Sequence, residues 1–210
     1  MPVASWGLVV PVKRLALAKT RLAVQGPSRA DLALAFAADV VSAGLACPSV
    51  ATVLVVTDDA EARAVLAALG AVVAADWPDA GLNPALAHGA ALLRADAPGL
   101  GVVTAAADLA ALRPDDLAAV LRAVRDGERG FVSDQRGTGT TVLAAAAGAE
   151  LGPCFGADSR ERHRAGGARE LTAAASVRLD VDTAEDLRAA LELGVGPHTR
   201  QALLAPLAAP

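Results

Sequence analysis

Short apolar runs alternate with longer stretches of helical period along most of this chain. Residues 6–12 (WGLVVPV) are β-branched, compact and ended by proline chemistry, the pattern of a buried strand. Residues 28–45 predict a helix, with Ser28 as N-cap and Asp31 in the capping-box position. A second strand is expected at 52–57 (TVLVVT), a helix at 59–69 ended by Gly70, and a short third strand at 71–74. A loop rich in Pro and Gly, 76–84, leads into a helix reaching about residue 95. Residues 101–104 predict a fourth strand that runs into Asp108, and 114–124 a helix with proline in its first turn. Strands at 131–133 and 141–145 flank a Gly-rich turn, and a last strand at 177–181 precedes a last helix at 183–193. The Pro- and Ala-rich stretch after Gly194 reads as peripheral, so residues 1–193 form one expected domain and 194–210 its tail.

Strand–helix alternation argues for an α/β fold, a mostly parallel sheet covered by helices on both faces. Ligands in such sheets bind beyond the carboxyl ends of the strands. Several polar clusters directly follow apolar strands: a Lys/Arg loop, Asp58–Asp59, Asp108 and Asp182. They are expected to line one edge of the sheet.

Composition removes several function classes. The 210 residues are 54% hydrophobic, enough for a sizeable core, and much of this is alanine, which suits helices packed closely on a sheet. Aromatics are 2% with no Tyr, so stacking platforms for single-stranded nucleic acid are missing. A formal charge of −4 offers no general polyanion surface. Cys47 and Cys154 are far apart and without metal-ligand spacing, which predicts free thiols. His88, His163 and His198 show no zinc pattern, and neither G-x-S-x-G nor a P-loop is found. The N-terminus lacks a basic-then-apolar leader pattern, and the most apolar stretch, 64–75, is too short to span a bilayer. A cytoplasmic protein with no nucleic-acid and no membrane partner is expected.

Chemistry concentrates in four places. The stretch LVVPVKRLALAKTRL, residues 8–22, carries Lys13, Arg14, Lys19 and Arg21 with no acid among them. A loop after the first strand of an α/β sheet is where phosphates bind, usually on Gly-rich backbone. Here the glycines are missing, and Lys13, Lys19 and Arg21 could neutralise a triphosphate instead. The alternative is a solvated basic loop. Asp108 follows a strand, and Asp180 and Asp182 lie two apart, pointing the same way if extended. Carboxylates from two strand ends suit Mg²⁺; the alternative makes Asp182 a helix N-cap and Asp108 a turn residue. RGTGTT, 136–141, could form an amide nest for an anion or a plain hairpin turn. In FGADSRERH, 155–163, Ser159 stands before a helix start beside Arg160, a setting for an anion or simply an N-cap.

In this order, PVKRLALAKTRL, GLNPAL, ADL, RGTGTT, FGADS and LDVDTAEDL resemble the guanylyltransferases of deazaflavin coenzyme (F-420) biosynthesis, called CofC in archaea and FbiD in actinobacteria. The resemblance covers roughly residues 8–193. It implies a nucleotidyltransferase (GT-A-like, MobA-like) fold, with the basic loop replacing the Gly-rich loop of related enzymes. It implies transfer of GMP from GTP to phosphoenolpyruvate, giving enolpyruvoyl-2-diphospho-5'-guanosine and pyrophosphate. The archaeal description has 2-phospho-L-lactate as the acid; the Ala-, Arg- and Gly-rich composition leans to the actinobacterial one. Residue by residue, the resemblance implies Mg²⁺ near Asp108, Asp180 and Asp182, and phosphoenolpyruvate on Thr141, Gly156 and Ser159. The family turn often reads T-G-T-N, and this chain has Thr138-Gly139-Thr140-Thr141, which leaves open whether Thr140 or Thr141 faces the acid. Asn83 of GLN is the candidate reader of guanine, with Lys13 and Lys19 on the nucleotide. The product would pass to a downstream transferase, and a homodimer is allowed. The rivals are another nucleotidyltransferase, such as a molybdenum-cofactor guanylyltransferase, and a non-catalytic nucleotide-binding regulatory module on the same fold.

Overall fold

The computed structural model describes residues 6–17, 22 and 26–205. Its strands are β1 (Trp6–Pro11), β2 (Val50–Val56), β3 (Val72–Ala74), β4 (Gly101–Ala105), β5 (Arg129–Ser133), β6 (Thr140–Ala145) and β7 (Arg169–Glu170). They form one sheet in the order β3-β2-β1-β4-β6-β5-β7. The strands from β3 to β4 are mutually parallel, and β6 runs antiparallel to both β4 and β5. The central strands are almost wholly apolar because both of their faces are buried, and the buried Thr104 of β4 donates its hydroxyl to Leu143 O.

One face is covered by α1 (Arg29–Ala46), α2 (Ala60–Ala68) and α4 (Pro114–Ala123), whose apolar residues meet Leu8, Val10 and Val103. The other is covered by α3 (Leu82–Asp96), which packs on Val9, Leu54 and Val102. Two glycines set how closely these helices approach β1. A Cβ on Gly44 of α1 would lie 2.5 Å from Leu8 Cδ2, and one on Gly89 of α3 would lie 2.7 Å from Val9 Cγ1. Ser28 and Asp31 form the expected capping box at the start of α1.

The structure departs from the sequence pattern after β6. Residues 177–181 are not a strand: Ala175–Arg178 is a helical turn, α6, followed by extended chain outside the sheet. A short apolar run does not by itself separate a buried turn from a strand. Strand β7 has two residues, too few to show any period. It follows α5 (Ser159–Ala165) and pairs in parallel with β5.

The residues after Gly194 are not peripheral in their described part. Helix α8 (Pro197–Leu204) docks on α1, where Asp39 accepts the amides of His198 and Thr199, each at 2.9 Å. A buried carboxylate needs such donors, and the start of a helix supplies them. Val195 joins a third core cluster with Leu32, Phe36 and Leu187, the last from α7 (Ala184–Leu193). Among the described residues no helix is long and apolar enough to cross a membrane.

Candidate active site

The carboxyl ends of β1, β2 and β4 meet the beginning of the antiparallel β6, where Ala106 N donates to Thr141 O at 2.8 Å. Two adjoining cavities open at this edge and share Pro11, Val12, Lys13 and Leu82. The first, of about 210 Å³, is bordered by Arg14, Asp58 and Asp76. The second, of about 300 Å³, is bordered by Ala106, Ala107, Asp108 and Asp182. Lys13 therefore stands at the seam between them, and its side chain is exposed. The loop that carries it is anchored behind, because Leu15 N donates to Asp59 Oδ2 at 2.9 Å. Asp59 also caps α2, and the amides of Ala62 and Leu15 hold its carboxyl below the usual range. Lys19 and Arg21 lie outside the described residues.

Asp108 and Asp182 come from separate segments, held together by Val181 N donating to Asp108 O at 3.1 Å. Leu179 and Val181 are buried while Asp180 and Asp182 are half-buried, so the two acids share the outer side of this extended stretch. Burial, with the negative charges of Asp108, Asp182 and Asp134, pushes the Asp180 carboxyl up to about 6. Asp134 is not among the sequence-derived candidates, although it directly follows β5. Asp182 does not cap α7: the N-cap is Thr183, in a capping box with Asp186. Among the described residues no three acid, imidazole or thiol groups converge as a metal site on their own. Asp108 and Asp182 fit an ion that completes its shell with phosphate oxygens and water, the habit of Mg²⁺.

The RGTGTT turn is closed on the chain itself. Thr138 N donates to Asp134 Oδ1 at 2.9 Å, and Gly137 N to Asp134 O at 3.2 Å. Gly139 must lack a side chain, since a Cβ there would lie 2.6 Å from Asp134 Oδ2. The two threonines then face opposite ways, as successive strand residues do. Thr141 is buried, and its hydroxyl donates to Val177 O at 2.7 Å while its carbonyl accepts from Ala106 N. Thr140 turns to the other side, where its Oγ1 lies 3.2 Å from Ser159 Oγ and 3.0 Å from His163 Nδ1.

Ser159 is not the cap of α5; that position is Asp158, in the left-handed region at φ 52. Gly156, at φ 114, makes the sharp turn of the FGADS loop, and its carbonyl accepts from Ser159 N at 3.1 Å. Arg160 is a strut rather than a ligand for an outside anion. It forms two bonds to Glu170, at 2.9 and 3.2 Å, and one to Gly137 O at 3.1 Å. Asn83 does not line either cavity; its amide is engaged by the backbone of Phe155. His163, absent from the sequence-derived site, joins Thr140 to the amide of Cys154, and a lone histidine carries no pattern that would have revealed this.

No protein-family model matches this chain. The fold is shared with CMP:2-keto-3-deoxy-manno-octonic acid synthetase complexed with CTP, at a TM-score of 0.59 and 14% identity over 90% of this chain and 98% of that one. It is shared also with Rv0371c of Mycobacterium tuberculosis in complex with manganese, at a TM-score of 0.56 and 23% identity over 90% and 98%. Such identities speak for the nucleotidyltransferase fold alone. In sequence, the chain is 60% identical over 198 residues to the phosphoenolpyruvate guanylyltransferase of Streptomyces coelicolor, covering 92% of this chain and 93% of the relative. An agreement that dense across nearly the whole of both chains shows that this protein belongs to the phosphoenolpyruvate guanylyltransferase family.

Proposed function

We propose that this protein transfers GMP from GTP to phosphoenolpyruvate, releasing pyrophosphate. The observation that carries the reading is one cleft that brings a lysine and two carboxylates together. Lys13 stands at its seam, and Asp108 and Asp182 stand at its far side, in a chain 60% identical to a phosphoenolpyruvate guanylyltransferase. An oxygen of the phosphoenolpyruvate phosphate attacks the α-phosphorus of GTP in line. The new P–O bond forms as the α–β bridging P–O bond breaks, and pyrophosphate leaves with the electron pair. The attacking phosphate is already anionic, so no general base is required. Lys13, joined by Lys19 and Arg21 a few residues on in the sequence, balances the charge of the triphosphate.

Asp108 and Asp182, backed by Asp180, would hold Mg²⁺, which when bound supplies Lewis-acid stabilisation of the transferred and leaving oxygens. The manganese complex of Rv0371c supports a divalent ion on this fold. At the acid end, the Thr140 and Ser159 hydroxyls and the Gly156 turn, beside Thr141, form the proposed seat of phosphoenolpyruvate. The product would feed the downstream transferase of coenzyme F-420 synthesis.

The test is pyrophosphate release from GTP and Mg²⁺ with phosphoenolpyruvate, 2-phospho-L-lactate and 3-phosphoglycerate in separate reactions. Phosphoenolpyruvate is expected to be the preferred acceptor. Release with 2-phospho-L-lactate and none with phosphoenolpyruvate would move the activity to the archaeal type of acceptor. Release with no acid would leave a nucleotide-binding module.

A further inference from the structure

His163 of α5 is 2% exposed, and no step of the proposed transfer uses it. Its ring lies between Phe131 and Phe155, with centroids at 5.8 and 5.1 Å. The amide of Cys154 donates to Nε2 at 2.9 Å. A neutral imidazole that accepts at Nε2 carries its proton on Nδ1. Nδ1 therefore donates to Thr140 Oγ1, 3.0 Å away. Burial, joined by the positive charges of Arg129 and Arg162, keeps the ring neutral by pushing its pKa down to about 4.

A count of protons gives this tautomer a consequence. The Thr140 and Ser159 hydroxyls lie 3.2 Å apart, so they share one bond but own two protons. The imidazole is already a donor to the pair and can accept neither proton. One O–H is left with no acceptor within the three side chains. With the proton on Nε2 instead, the ring would accept from Thr140, Thr140 would accept from Ser159, and the cluster would be closed. A hydroxyl that receives an N–H becomes a better donor in turn. His163 and Ser159 both donate to Thr140 Oγ1, and the O–H left over is that of Thr140. A buried O–H without an acceptor is costly, and an anionic oxygen is the acceptor that relieves it best. The position suits a substrate: Thr140 adjoins Thr141, whose carbonyl accepts from Ala106 on the border of the cavity that holds Asp108 and Asp182.

We propose that His163 is a positioning residue for the acid substrate, acting with Ser159 to hold the Thr140 hydroxyl as a donor to a carboxylate or phosphate oxygen. This rests on the reading that Thr140 meets the acid. It differs from a purely structural histidine because its effect must pass through Thr140.

The experiment is a double-mutant cycle in steady-state kinetics with GTP and phosphoenolpyruvate. Ser159→Ala, Thr140→Val and His163→Phe should each raise KM for phosphoenolpyruvate about tenfold and leave KM for GTP unchanged. The double variant His163→Phe with Thr140→Val should be no worse than Thr140→Val alone. Multiplied penalties, about a hundredfold in the double variant, would overturn the relay. Should His163→Phe fail to fold, Thr140→Val combined with Ser159→Ala asks the same question at another link. Nitrogen-15 shifts of His163 read the tautomer without any turnover, and a proton found on Nε2 would also overturn the proposal. A wild-type protein that turns over no acid defeats the functional reading alone, while the nitrogen shifts still decide the tautomer. An active wild type with unchanged KM for phosphoenolpyruvate in Thr140→Val removes His163 from acid binding.

Discussion

Asn83 and Phe155, from distant parts of the chain, hold each other twice. The Asn83 Oδ1 accepts the Phe155 amide at 2.7 Å, and its Nδ2 donates to the Phe155 carbonyl at 3.1 Å. This clasp joins the first turn of α3 to the loop that carries Gly156 and Ser159. It fixes where the FGADS loop sits relative to Leu82, which borders both cavities.

Asn83→Ala should therefore lower stability by about 1–3 kcal/mol, through the Phe155 amide left without this partner and its carbonyl left to Arg162 alone. KM for phosphoenolpyruvate should rise with it, and the preference for GTP over ATP should stay. The ratio of kcat/KM for the two nucleotides is the deciding measurement. A collapse of that ratio would make Asn83 the reader of guanine.

Lys13 is exposed and serves no packing role, so Lys13→Ala should leave thermal unfolding unchanged. Its loss should lower kcat/KM for GTP about a hundredfold, because the ammonium faces charge that grows on the triphosphate during transfer. Lys19→Ala and Arg21→Ala are expected to act in the same direction. Unaltered kinetics in all three would return the loop to a solvated basic surface.

Removal of charge at the carboxylate border tests the metal. Asp108→Asn and Asp182→Asn should each cost at least about a hundredfold in turnover. Mg²⁺ with GTP should raise the Tm of the wild type and not of these variants. Asp182→Asn cannot act by weakening α7, since Thr183 and Asp186 form that cap. Asp180→Asn should be milder, about tenfold, if it orients the ligands from behind. An unchanged Mg²⁺ dependence in Asp182→Asn would rule out its role.

His163 also sets an acid limit on stability. Its folded pKa, about 4, is below the ordinary 6.5. Between these values the unfolded chain binds a proton that the folded one refuses, so stability falls as pH falls. The contribution is fully present above the unfolded value and lost by the folded one, at most about 3 kcal/mol. Denaturant midpoints from about pH 7 to about pH 4.5 should fall more steeply for the wild type than for His163→Phe. Parallel curves would show that the folded ring takes up its proton as readily as the unfolded one.

Asp39→Ala should remove the two amide bonds that dock α8, at a cost of about 2 kcal/mol. For a chain of this size that lowers Tm by about 4–8 °C. Asp39→Asn keeps an acceptor and should be milder. Gly196→Ala should be damaging as well, because a Cβ there would lie 2.3 Å from the Asp39 carboxyl. Differential scanning calorimetry of the three variants is the check, and an unshifted Asp39→Ala would make α8 an ornament of the fold.

What the sequence determined by itself was local. Ser28 and Asp31 announce α1 because a capping box is written within four residues. The apolar runs of β1, β2 and β4 announce a buried parallel sheet because both faces of such strands are covered. The acids that follow these strands announce the working edge, since chain leaving a parallel sheet emerges on one side. What only the tertiary structure decided were pairings between distant segments. Thr140 and Thr141 are equivalent in the sequence, and the placement of β6 between β4 and β5 turns one hydroxyl to His163 and the other to Val177. Asn83 looked available for a base until the FGADS loop came to lie against it. Asp39 looked like any helix acid until α8 presented its first amides. A side chain's partners depend on which surfaces meet, and no window of neighbouring residues contains that information.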